Sequence, residues 1–206
     1  MTEQISRIDP FWPIVPGKGL GPLVLGLPLF FLRRAFLDSY GVGAAAIDPT
    51  STAGWSAQIS PPELELLVIR VPGVVDIFAN TFLGKVCGLR ARGGYRGRLW
   101  EVGGVGDVAG PLHEECERRG LDLVELCEGR LEYRLQEASP FWLSLEVGDE
   151  DEDGVFSDAE WSELLSRPVR AIEIHDDRLR SPMGALDFPA AWLDSRPDQI
   201  GLAKRR

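Results

Sequence analysis

Twelve consecutive residues carry the sharpest chemical pattern in this chain. Asp149-Glu150-Asp151-Glu152-Asp153-Gly154-Val155-Phe156-Ser157-Asp158-Ala159-Glu160 fits the calcium-loop order D-x-D-x-D-G-x5-E at every defined position. Calcium takes six to eight oxygens, and this order supplies them within one turn. Asp149, Asp151 and Asp153 would offer carboxylates and Val155 its carbonyl. Ser157 would stand at the water-mediated position, and Glu160 would bind through both oxygens. Gly154 permits the bend, and Phe156 takes the place of the inward apolar residue. The same residues have a plainer reading. Ser157 as N-cap with Glu160 three residues on is a capping box, opening a helix through Trp161-Ser162-Glu163-Leu164-Leu165 that Pro168 ends. The preceding Phe141–Val147 reads as a strand, so a paired helix-loop-helix hand is not expected.

Other chemistry is sparse. The two histidines, His113 and His175, lie far apart in sequence. His113 stands among Glu114, Glu115 and Cys116 on a helix expected to be solvated, and His175 ends a strand beside Asp176 and Asp177. Cys87, Cys116 and Cys127 fit no zinc spacing and no CxxC pair. Two of them sit in apolar company and read as small buried hydrophobes, as in a reducing compartment. Gly17-Lys18-Gly19-Leu20-Gly21 lacks the order of a nucleotide fingerprint and reads as a turn. No GxSxG, HExxH or paired-His motif occurs. The expectation is a protein that binds rather than an enzyme, although a dispersed catalytic site leaves no local trace.

The formal net charge is −10. It is concentrated: Glu146 to Glu160 holds eight carboxylates and no base. That field would draw a basic partner or a hard cation, and it argues against nucleic acid, which needs a basic face. Lys85, Arg90, Arg92, Arg96 and Arg98 form a smaller opposite cluster. Apolar residues make up 44 % of the chain, enough for a core. The most apolar run, Pro22–Leu32, is too short to span a bilayer and follows an acidic, Pro-rich start. It reads as a buried strand followed by a buried helix start. A cytoplasmic location is expected, with no membrane partner.

The elements that must position these residues form a repeat. Gly21-Pro22-Leu23-Val24-Leu25-Gly26 leads into a helix from Pro28 through Leu29, Leu32, Arg33, Phe36 and Leu37 to Gly41. Leu99-Trp100-Glu101-Val102-Gly103 leads into a second helix with Asp107 as N-cap and Gly120 as its stop. Strands follow each helix: Leu64–Val71, Val74–Ala79 and Lys85–Arg92, then Leu121–Glu128, Arg130–Gln136, Phe141–Val147 and Val169–His175. Gly43–Pro62 reads as an irregular connection. The fold class expected is α+β, with two tandem strand-helix-antiparallel-meander units packing helices against sheet. The boundaries are 1–94 for the first unit with its N-terminal arm, 95–180 for the second with the acidic loop, and 181–206 for a wrapping tail.

Gly19-Leu20-Gly21-Pro22-Leu23-Val24-Leu25-Gly26-Leu27, with Lys85-Val86-Cys87-Gly88-Leu89 and Gly94-Tyr95-Arg96-Gly97-Arg98-Leu99, resembles motifs of bacterial immunity proteins encoded beside polymorphic or contact-dependent toxins. The repeat is similar to the tandem units of β-lactamase-inhibitor-like proteins. The resemblance covers roughly residues 14–41 and 80–147. Leu27-Pro28-Leu29-Phe30-Phe31 is more apolar than the usual start of that helix, and the acidic loop at Asp149 is foreign to the family. The resemblance implies a protein that binds and occludes a cognate toxin domain inside the producing cell, as a monomer or weak dimer. On that reading Glu150, Glu152 and Asp158 would oppose a basic cleft, and Trp55, in its Gly/Ser/Ala-rich segment, would meet the partner. The six tryptophans otherwise read as mostly core.

Overall fold

The computed structural model describes residues 8–32, 45–46, 56–59, 66–71, 73–127, 129–135, 139–148 and 157–180. In chain order, β1 is Ile14–Val15, β2 Gly19–Leu20 and β3 Leu23–Val24, followed by a 3-10 turn at Leu29–Phe31. Then come β4 Ala45–Ala46, β5 Ser56–Ile59, β6 Leu66–Val71, β7 Val75–Asn80, β8 Lys85–Ala91, β9 Arg98–Leu99 and β10 Gly103–Gly104. Helix α1 is Ala109–Arg118, then β11 Asp122–Cys127, β12 Arg130–Arg134, β13 Phe141–Glu146, helix α2 Asp158–Ser166, β14 Ala171–Asp176 and the single turn α3 Asp177–Arg180. The class is α+β.

Nine strands form one antiparallel sheet in the order β11-β12-β13-β14-β8-β7-β6-β5-β4. Alternation decides its two faces. Leu131, Tyr133, Leu143, Leu145, Ile172, Ile174, Leu89, Ala91, Val75, Ile77, Leu67 and Ile69 fall on one face and are buried. Against this face α1 packs Ala109, Leu112, His113 and Cys116, and α2 packs Leu164. Each large aliphatic side chain buried there contributes about 1.5–3 kcal/mol relative to exposure. Five two-residue strands make a second sheet, β10-β9-β1-β2-β3, whose Ile14, Leu20, Leu23 and Leu99 join the same core. Its close approaches need glycine: a Cβ on Gly97 would stand 1.8 Å from the Trp12 carbonyl, and Gly21, at φ +56°, lies under the Trp12 ring.

The same backbone junction occurs twice. Gly26 N–H donates to Val86 O and Val86 N–H to Leu27 O; Gly106 N–H donates to Val169 O and Val169 N–H to Asp107 O. Each junction ties the chain after a small-sheet strand to the start of β8 or β14. Those two strands then pair with each other at the middle of the large sheet. Arg90 and Glu173, each the fourth residue after its junction valine, lie opposite one another.

Several local expectations change. Leu29–Phe31 is a 3-10 turn, and Leu32 is extended at φ −76°, ψ 160°. The Leu29 amide is taken by the Gly84 carbonyl, and Leu32 is fully buried, so this apolar run serves packing on more than one side. The helix expected on to Leu37 falls on residues outside those described. Asp107 is not the N-cap of α1; Val108 is, without a side-chain cap, while Asp107 accepts from Gly104 N–H at 2.9 Å. The stretch expected to be irregular contains β4 and β5. Gly120, at φ +72°, does close the helix.

Candidate functional site

The second face of the large sheet is polar. Across β12, β13, β14, β8, β7 and β6 it runs Glu132, Ser144, Glu173, Arg90, Asp76, Arg70, one residue per strand. Beside that row run Arg134, Trp142, His175, Gly88, Phe78 and Val68. Alternation puts these side chains on one face, because each strand contributes every second residue to it, and the register between strands sets them side by side. Directly opposed Glu173 and Arg90, and Arg90 and Asp76, are unlike charges, which stabilises the pairing.

The charges are held closely. Arg90 ion-pairs with Glu146, and Arg92 gives two N–H groups to buried Asp76, one at 2.7 Å. Burial pulls the Arg90 guanidinium below its ordinary value, and the Glu173 charge works against that. Glu173 is 5 % exposed and accepts from Arg180 at 2.9 Å. Arg180 comes from α3, which turns back over the ends of β14, β8 and β7, and its guanidinium stands 5.9 Å from the Phe78 ring.

His175 joins these groups. Its Nε2 lies 3.3 Å from Asp177 Oδ1, and the other oxygen of Asp177 accepts from the Trp142 indole N–H. Burial raises the Asp177 pKa, but hydrogen bonds from His175 and Trp142 hold it below the ordinary value. His175 Nδ1 is buried, stands 3.6 Å from Glu173 Oε1, and has no hydrogen-bond partner among the described residues. Trp142 lies between the Arg134 guanidinium, 4.5 Å from the ring centroid, and the near-parallel imidazole of His175 at 6.1 Å. Gly88 opposite His175 leaves a dimple bordered by His175 and Phe78.

Between Arg90, Arg130, Ser144, Glu146, Ala171 and Glu173 lies a depression of about 140 Å³ with no space for the centre of a water molecule. The thiols are poor nucleophiles: burial pushes both Cys87 and Cys116 up to about 12. Cys116 is buried in the apolar core, whereas Cys87, also buried, lies within reach of the Arg180 and Glu173 charges.

His113 corrects the expectation of a solvated position. It is 7 % exposed, with Nδ1 2.7 Å from Tyr133 Oη and its ring edge-on to Trp161 at 5.4 Å. Burial pushes the Tyr133 hydroxyl well above the usual phenol range, so it stays protonated and can donate to Nδ1. Among the described residues the tryptophans are half-buried. Trp12, Trp100 and Trp161 cover the rim of the core, and Trp142 belongs to the polar face.

Of the expected calcium ligands, Ser157 and Glu160 hold each other in a capping box at the start of α2. Ser157 N–H donates to Glu160 Oε2 at 2.8 Å and the Ser157 hydroxyl at 2.7 Å, while Glu160 N–H donates to Ser157 Oγ at 3.4 Å. These hydrogen bonds hold the Glu160 carboxyl below its usual range. Asp149, Asp151, Asp153 and Val155 lie outside the described residues, as do Trp55, Glu150 and Glu152 of the expected contact set. Asp158 is exposed in the first turn of α2. Among the described residues no cluster of three or more His, Cys, Asp or Glu could share a metal ion, and no helix is long and apolar enough to cross a membrane.

The polar-face set of Arg90, Glu173, His175, Trp142 and Asp177 was missed in the sequence. The available signal was alternation: Trp142, Ser144 and Glu146 interrupt Leu143 and Leu145 on β13, and Glu173 and His175 interrupt Ile172 and Ile174 on β14. No protein-family model matches the chain, and neither a curated protein nor a solved structure matches it.

Proposed function

We propose that this is an immunity-type protein that binds the active domain of a cognate toxin in the cytoplasm of the producing cell and blocks it by occlusion. What carries the reading is the polar face of the nine-stranded sheet. There a broad, hydrogen-bonded set of charges and aromatic rings is braced from behind by the core and both longer helices. Such a surface is preorganised for another polypeptide, because little side-chain freedom is left to lose on docking. Exposed Arg70 and half-buried Trp142 and Phe78 would be its anchors, in keeping with the aromatic and Arg content of binding hot spots.

The tandem organisation belongs to the same proposal. Two copies of a strand, turn and meander unit, joined tail to tail at β8 and β14, account for the repeated valine junctions and for Arg90 meeting Glu173. They also fit the sequence resemblance to immunity proteins. The acidic loop from Asp149, with Trp55 and Asp158, would add contacts to a basic cleft. Calcium at residues 149–160 is a separate proposal that rests on the residue pattern alone. Calorimetry with calcium on wild type and Asp149→Ala decides it, and two heatless titrations would remove it.

The direct test is complex formation. The chain is mixed with the C-terminal domain of the toxin encoded beside it, and the mixture is resolved by size exclusion with light scattering. A stoichiometric complex is expected, weakened at least about tenfold, or 1.4 kcal/mol, by Arg70→Glu with Phe78→Ala. No complex at micromolar concentration would remove the reading.

A further inference from the structure

On the polar face the two signs of charge are not equally accessible. The carboxylates at its centre are buried: the Asp76 side chain is 4 % and that of Glu173 7 % exposed. The guanidinium groups bonded to them reach solvent, with the Arg92 side chain 40 % and that of Arg180 36 % exposed. Arg70 on β6 is exposed and faces Asp76, and Arg90 on β8 faces Asp76 from the other side. Three arginines, Arg70, Arg90 and Arg92, therefore surround one buried carboxylate.

The other carboxylates described on this face do not cancel the surplus. Glu146 is taken by half-buried Arg90, and Asp177 by His175 and the Trp142 indole. Glu132 lies on β12, beyond β13, next to Arg130 and Arg134 of its own strand, and Asp122 lies on β11 opposite Arg134. Around β6, β7 and β8 the outermost described charges are thus Arg70, Arg92 and Arg180. Arg92 gives two N–H groups to Asp76, and a guanidinium carries five, so donors remain for another acceptor. Arg70 brings a further cation to a carboxylate that Arg92 already serves. Among these cations lies half-buried Phe78, with Val68 beside it on β6 and the Arg180 guanidinium over its ring.

We propose that this half of the polar face receives an acidic segment of the partner polypeptide. Its carboxylates bond Arg70, Arg92 and Arg180, and an apolar side chain between them covers Phe78 and Val68. The buried carboxylates beneath hold the guanidinium groups in place, so the fork of donors is set before the partner arrives. Nucleic acid is the poorer occupant, because a chain of net charge −10 repels an extended polyanion while three guanidinium groups suit a short acidic stretch. Glu150, Glu152 and Asp158, assigned to a basic cleft, belong to other segments, so the partner is asked for opposite charges at different places. This names the chemistry of the partner at the docking face and rests on that docking.

The probes are a capped peptide Glu-Glu-Leu-Glu-Glu, its counterpart with Gln for every Glu, and a short single-stranded DNA. Each is titrated into the full chain at low salt while arginine Nε–H and aromatic resonances are followed by NMR. The Glu peptide shifts Arg70, Arg92 and Phe78 and binds at least about tenfold more tightly than the Gln peptide. Arg70→Glu, at an exposed position, weakens it at least about tenfold; an unchanged circular dichroism spectrum and urea midpoint show that the variant is folded. The proposal is overturned by equal binding of the two peptides, by shifts that spare Arg70, Arg92 and Phe78, by undiminished binding to the variant, or by no shift at millimolar peptide. Tighter binding of the DNA would overturn it by assigning the face to nucleic acid. Shifts of the same resonances that grow with protein concentration alone would do so by assigning it to a second copy. The toxin domain separates this from the docking itself. If Phe78→Ala weakens that complex while Arg70→Glu leaves it unchanged or tightens it, docking stands and the acidic segment falls. If the Glu peptide binds as described but the toxin domain does not bind, only the immunity reading falls.

Discussion

Glu173 faces Arg90 across the sheet, accepts from Arg180, and stands near His175. Removing a buried carboxylate strands the cations it served. Glu173→Ala should therefore cost about 2 kcal/mol of unfolding free energy in urea, with Arg90 left to Glu146 and Asp76; a loss under about 0.5 kcal/mol would mean the row of charges is solvated surface. A different residue sets the response to acid. Glu115 is held down to about 2 by hydrogen bonds from Arg118 and then Arg119 at the end of α1. Its folded value lies below the unfolded one, so its contribution is present above the ordinary carboxylate range, about 4.3, and is lost as pH falls through about 2. Amide exchange in the last turn of α1 should quicken across that window, and Arg118→Ala with Arg119→Ala should flatten the response.

Helix α2 starts where a capping box was read from Ser157 and Glu160, and its entry is made of those two side chains. Ser157→Ala should destabilise the protein by about 1 kcal/mol, measured by thermal unfolding, and no change would deny the cap its role. The strands were largely legible for a simple reason: β12, β13 and β14 alternate one apolar residue with one polar residue. Two-residue strands such as β9 and β10 carry no period and are set by tertiary pairing, so Leu99–Gly103 read as a single run. His113 was misread although its helical spacing was visible. Ala109, Leu112, His113 and Cys116 share one face, and the acids around His113 drew the reading toward solvent. The polar face was not legible as a site, because cross-strand neighbours such as Trp142 and His175 depend on register between segments far apart in sequence.

At the scale of the whole molecule, β8 and β14 pair at the middle of the large sheet; among the described residues the core and the two longer helices lie against one side of it, and the turn α3 lies over part of the other. The proposed docking face is the side opposite the two longer helices. A rigid polar surface of this breadth suits a protein partner, and Trp142 and Phe78 mark it with side chains whose reactivity can be read. Hydroxyl-radical footprinting of the chain alone and in complex with the toxin domain tests the assignment most directly. Trp142 and Phe78 should lose reactivity in the complex while Trp161, on the helical side, keeps its own. Unchanged Trp142 and Phe78 with a protected Trp161 would contradict the account.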